Sequence, residues 1–124
     1  MREIKFRAWD DQYQDMEYSH DIDRINANDN NKGFTLSEFF EFNHKLPWMQ
    51  YIGRIDSTGK EIYEGDIISV EDARDGFPYS GGVIEYDSDH ARYAVKISNG
   101  YYPISNFRRI TVIGNIYENP NLIK

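Results

Sequence analysis

A chain of 124 residues, 40% apolar and 15% aromatic, is long enough to bury one core without covalent staples, and ten Tyr with seven Phe make that core rich in rings rather than in Leu. The absence of cysteine excludes disulfide frameworks, thiol nucleophiles and Cys-ligated zinc or iron–sulfur sites, and no apolar run approaches the roughly 18 to 20 residues that span a bilayer. A net charge of −7, with seven acids against Arg24 alone between Asp10 and Asn31, disfavours nucleic-acid binding, which draws on clustered cations; Lys5 with Arg7 and Arg108 with Arg109 leave room for a small basic face only.

The N-terminal MREIKFRAWDD has no h-region, so it is expected to be the first strand of the fold rather than an export signal, with the cytoplasm as the default location. Ile4, Phe6 and Ala8 alternate with Glu3, Lys5 and Arg7, which predicts one buried face, and Trp9 extends the strand. DDQYQD follows as a turn, and Met16 to Tyr18 returns as the second arm of a hairpin. The Asn- and Asp-rich stretch 21–33 reads as a loop; no register of it supplies the EF-hand ligand set, so no metal is expected. Thr35 with Glu38 then forms a capping box, with Phe34 and Phe39 as its staple, and starts a short helix over residues 36–45 that carries Leu36, Phe39 and Phe40 on one face. Leu46-Pro47 ends it, dividing the chain into an N-terminal part, 1–47, and a β domain, 48–124.

From Trp48 the pattern is all β. WMQYIG is a short strand, and RIDSTGKEIYEG a long polar excursion with a turn at 57–59. Gly65-Asp66 closes that excursion: Gly supplies the positive φ of a corner, the Asp carboxylate takes backbone amides left unpaired there, and a new strand starts. Residues 71–82, with Gly76, Pro78, Gly81 and Gly82, read as a loop. Strands are expected at 83–86 and 93–97, with a turn at 87–90 between them. Asn99-Gly100 is a hairpin signal for a type I′ turn, whose two central residues need positive φ. Pro103 reduces residues 101–104 to an edge strand, and a last strand is expected over 110–117. Ile52-Gly53-Arg54-Ile55 and Ile113-Gly114-Asn115-Ile116 share I-G-x-I, where a strand glycine marks a bulge or a close approach.

This strand order resembles a small SH3-like barrel, and the fold expected is mainly β (α+β): a closed SH3-like barrel with an N-terminal hairpin and one short helix. GYYPISNF also resembles the G-Y-x-P-S-N-Y ending of SH3 domains. There the Pro, Asn and Tyr help line a peptide groove, so the likeness offers Tyr101, Tyr102, Pro103 and Phe107 as possible protein contacts. The plainer alternative is that these rings fill the core and rim of a small barrel.

Chemistry is harder to place. His20, His44 and His90 sit in unrelated contexts, no phosphate-binding glycine motif occurs, and Ser80-Gly81-Gly82 lacks the rest of a nucleophile elbow. Glu64 with Asp66 has no spacing that separates acid–base work from a turn cap. The expectation is therefore no enzyme and no cofactor.

IKFRAWD, MQYIG, GKEIYEGDII and VIGNIYENP, in that order from Ile4 to Pro120, resemble the signature blocks of the YopX family of bacteriophage and prophage proteins. Residues 11–47 carry no such block. The resemblance implies a phage-encoded accessory protein of the host cytoplasm, an SH3-like portion, and no established activity or catalytic residues to transfer. The expected role is a non-enzymatic protein-binding or self-assembly module, with a second copy or another protein as partner and no membrane. Phe39 and Phe40 offer a second contact surface. The alternative is a nucleic-acid-binding barrel that stacks bases on Tyr and Phe beside Arg108 and Arg109.

Overall fold

The computed structural model describes residues 3–19, 45–72, 78–98 and 100–123, and the chain forms two compact units, Met1–Tyr51 and Ile52–Lys124. The expected helix over 36–45, with Phe39 and Phe40, and the acidic loop 21–33 lie outside the described residues, Lys45 excepted. No helix among the described residues is long and apolar enough to cross a membrane.

In the first unit the expected hairpin is present, as β1 (Phe6–Asp10) and β2 (Asp15–Tyr18), paired antiparallel with Ala8 opposite Glu17. Its turn is built by Asp10, whose Oδ1 accepts the Gln12 and Tyr13 amides at 3.0 and 3.3 Å, and by Gln14 at φ 52°. On its other side β1 pairs antiparallel with the start of β3 (Trp48–Ile55), Ala8 opposite Trp48. The expected one-sided alternation does not hold. Arg7, Ala8 and Trp9 are all buried while Ile4 is 65% exposed. Successive strand residues point to opposite faces, so three consecutive buried positions mean that β1, a strand paired on both edges, is covered on both faces as well. Phe6 meets Trp48 edge to face at 6.4 Å, and Lys5 Nζ lies 5.6 Å from the Tyr51 ring.

The second unit is organised by an antiparallel sheet of five strands. After residues 52–55 of β3 and the short β4 (Glu61–Tyr63) come β5 (Asp66–Asp72), β6 (Tyr79–Asp87), β7 (Arg92–Ile97), β8 (Gly100–Pro103) and β9 (Arg108–Asn115). The order β8-β7-β6-β5-β9 joins a meander to a last strand that returns beside the first. The sheet is curled into a half-barrel and keeps two edges, where a closed cylinder was expected. Its curl follows two bulges: Ile113 is the unpaired residue between Ile67–Gly114 and Ile68–Val112, and Gly81, at φ 103°, is the extra one between Ile68–Gly82 and Ser69–Ser80. The core that the sheet helps build holds Ile52, Ile62, Ile68, Val70, Ile84, Val95, Ile104 and Ile110. Each such side chain contributes about 1.5–3 kcal/mol on burial, which outweighs any exposed ion pair on this surface.

Parts of two expected loops are strand. The polar excursion after Trp48 is a hairpin, with β3 running on to Ile55, a turn over 57–59 and β4 returning. Residues 71–82 do not form one loop either: β5 reaches Asp72 and β6 starts at Tyr79. The glycines serve the sheet rather than a loop, Gly81 as the bulge and Gly82 as the place where Val95 packs so closely that a Cβ would fall 2.7 Å from its Cγ1.

The corner at Gly65-Asp66 forms as expected. Gly65 has φ 84°; its N–H donates to the Ile84 carbonyl (2.8 Å) and its carbonyl accepts from the Ile116 amide (2.9 Å). Asp66, 1% exposed, accepts the Tyr63 amide at 2.8 Å and begins β5. The β7–β8 hairpin forms too, one residue earlier than expected. Ile97 pairs with Gly100, so Gly100 opens β8 rather than sitting at the centre of the turn; the first residue between them, Ser98, has φ 53°, and Asn99 lies outside the described residues.

Candidate functional site

The four aromatic-rim residues do not converge on one groove. Tyr101 and Tyr102 are neighbours on β8 and so face opposite sides of the sheet, opposite Lys96 and Val95 respectively. Tyr101 donates its hydroxyl to Glu85 Oε1 at 3.1 Å, while Lys96 Nζ lies 6.0 Å from its ring and 3.9 Å from Glu85 Oε2. That hydrogen bond, and then the charge of Glu85, push the Tyr101 phenol above its ordinary pKa. Tyr102 is 45% exposed and leans beside Gly100, and Pro103 pairs with Ala94 before the 3₁₀ turn Ile104–Asn106. Phe107 goes elsewhere: it packs against the core and lines a groove to which the other three do not contribute.

That groove, about 310 Å³, lies where the end of β3 meets the start of β9. Buried Ile62 and Ile110 with Phe107 give it an apolar lining; Ile55, 60% exposed, adds apolar surface, and Arg54 and Arg109 supply two cations. Arg109 Nη1 is 3.4 Å from Glu71 Oε2, both side chains being largely exposed, and Arg54 has no ion-pair partner among the described residues. Arg109 also holds φ 53°, a left-handed conformation that costs a residue with a Cβ about 1–2 kcal/mol.

Asp56 and Ser57 complete the lining and explain why the groove keeps its shape. Asp56, 6% exposed, accepts four hydrogen bonds: from the Thr58 amide (2.8 Å), the Thr58 hydroxyl (2.6 Å) and the Lys60 amide (2.9 Å) on Oδ1, and from the Val112 amide (2.9 Å) on Oδ2. The first three fold the β3–β4 turn and the fourth ties it to β9. Burial pushes its carboxyl up, but the hydrogen bonds from Thr58, Val112 and Lys60 together outweigh that and hold it down at about 2. Ser57 adds its amide to the Ile110 carbonyl (2.8 Å) and its hydroxyl to Thr111 (2.8 Å).

Of the groups weighed for chemistry, His90 sits in a turn with Nδ1 2.9 Å from Asp87 Oδ2, and Arg92 Nε is 3.5 Å from the same oxygen. His20 and His44 lie outside the described residues. Asp66 is buried on the Tyr63 amide, the turn-cap role rather than a solvent-facing one. Among the described residues no three His, Asp or Glu side chains gather as a metal would require.

A mostly β protein with a curled five-strand sheet is the class this geometry defines. The family model for YopX protein matches residues 5–124, nearly the whole chain, and the protein belongs to that family. Among solved structures it is similar to the crystal structure of protein EF1440 from Enterococcus faecalis, at 26% identity and a TM-score of 0.58 over 100% of both chains. No curated protein is significantly similar to it.

Proposed function

We propose that this YopX-family chain is a non-enzymatic binding module, a phage-encoded accessory protein of the host cytoplasm that docks on another protein or on a second copy of itself, and that its five-strand half-barrel is an SH3-like fold. The fold assignment draws support from the meander β5-β6-β7-β8, the 3₁₀ turn after it, and the return of β9 beside β5. The binding role draws on one observation above the rest: the groove beside Phe107 joins apolar side chains to two arginines, while its one carboxylate, Asp56, is committed to four hydrogen bonds and its Ser57 hydroxyl to Thr111. Such a lining offers contact surface and charge rather than a poised acid, base or nucleophile. Light scattering coupled to size exclusion, followed by pull-down from infected cells, tests the reading. A dimer or larger species, or specific protein capture, is the expected result. A monomer that instead retains oligonucleotide in low salt overturns it in favour of a nucleic-acid-binding barrel.

A further inference from the structure

The groove gathers two arginines, Arg54 and Arg109, on a chain of net charge −7. Arg54 has no ion-pair partner among the described residues, and the one ion pair of Arg109 is exposed. Asp56 directs its hydrogen bonds to Thr58, Lys60 and Val112 and forms no ion pair with either guanidinium. Glu71 touches Arg109, yet at 67% and 74% side-chain exposure that pair is weak and yields to a better-placed carboxylate. Arg109 sits on strained backbone, which persists where the surroundings over-determine it and which clusters at binding sites. Beside these cations the fold leaves Ile55 60% exposed, next to Phe107. A volume of about 310 Å³ is at the small end for a ligand pocket, room for one or two side chains.

We propose that the groove between the end of β3 and the start of β9 docks a short acidic segment of a partner protein, one large apolar side chain seating on Ile55 and Phe107 while flanking Asp or Glu carboxylates reach Arg54 and Arg109. The proposal rests on the binding-module reading and names the chemistry of its partner. Charge complementarity selects this occupant. A short acidic segment meets only the local cations, whereas a long polyanion such as a nucleic acid would run on over a surface whose net charge repels it. Carboxylate recognition by guanidinium is bidentate and charge-assisted, which suits two arginines flanking an apolar seat.

The test is fluorescence anisotropy with the full chain and a fluorescein-labelled peptide in which one central Leu is flanked on each side by Glu and Asp. The expected result is saturable binding that weakens with salt, that the Gln/Asn version of the peptide does not reproduce, and that R54Q and R109Q each weaken about fivefold and the double variant more than tenfold. Both arginines are exposed, so unchanged thermal melts will show the variants folded. No binding to the wild-type chain, equal binding by the double variant, or tighter binding of an oligothymidylate of matched charge each overturns the proposal. So does loss of self-association in the double variant, which would make a second copy the occupant. If self-association or partner capture persists in the double variant while the peptide fails, the groove assignment falls and the binding-module reading stands.

Discussion

The two edges of the five-strand sheet are protected in different ways. On the β9 side the turn of the β3–β4 hairpin is stitched on: Ser57 donates to the Ile110 carbonyl, Asp56 takes the Val112 amide, and Ser57 and Thr111 share a hydroxyl contact. On the β8 side the strand is four residues long and ends in Pro103, which has no N–H to offer, and Tyr101 forms a partly exposed cluster with Glu85 and Lys96. One edge is closed by buried charge–amide bonds, the other merely kept short. An eight-residue edge strand such as β9 would invite pairing with another chain, so that is where the strong device is needed.

If that contrast is right, the largest loss of stability comes from Asp56→Ala. It leaves the Val112 amide beneath the turn without its acceptor and releases the Thr58 and Lys60 donors, and we expect a loss of about 3 kcal/mol in urea denaturation. A loss below about 1 kcal/mol would mean that water replaces the carboxylate freely and that the β9 edge is not closed by it.

The same carboxylate sharpens the comparison through pH. Its folded pKa, about 2, lies below the ordinary 3.8, so the stability it adds is fully present above pH 4 and is lost as pH falls towards 2. The gap corresponds to about 1–2 kcal/mol once solvent screening at the edge is allowed for. Other acids titrate in the same window, so the measurement is the difference between wild type and Asp56→Asn: the variant is less stable at neutral pH, and the two curves converge at pH 2. Parallel curves would assign the depressed pKa no role in folding.

How much of this was legible in the sequence depends on the reach of each contact. The Gly65-Asp66 corner spans three residues to Tyr63, so its glycine and carboxylate announce it. Asp56 uses the same chemistry, and D-S-T-G carries the local half of the signal, an Asx turn over Thr58 and Lys60; its bond to Val112 crosses 56 positions and nothing local marks it. The groove divides likewise. Phe107 lies in an SH3-like ending and Arg109 in a basic pair, both visible locally, but their meeting with Arg54 and Ile55 is a product of the fold. The β meander, the N-terminal hairpin and the family blocks were readable because pattern and turn chemistry are local. The burial of Arg7 and the strand character of Gly81 and Gly82 were not, since both depend on what packs against them.

The smallest effect is expected at the other edge, from Tyr101→Phe. The lost hydroxyl leaves Glu85 in reach of Lys96 and of water, so the denaturation midpoint should stay where it is. What changes is the titration. In near-ultraviolet absorbance the difference between wild type and Tyr101→Phe should report a phenol that ionises above the ordinary 10.0, because Glu85 accepts its hydrogen and opposes a second negative charge. Glu85→Gln should bring that ionisation back down without unfolding the chain. A destabilisation by Tyr101→Phe as large as that of Asp56→Ala would erase the contrast, since it would make the partly exposed cluster on β8 as strong a closure as the buried carboxylate that holds the turn to β9.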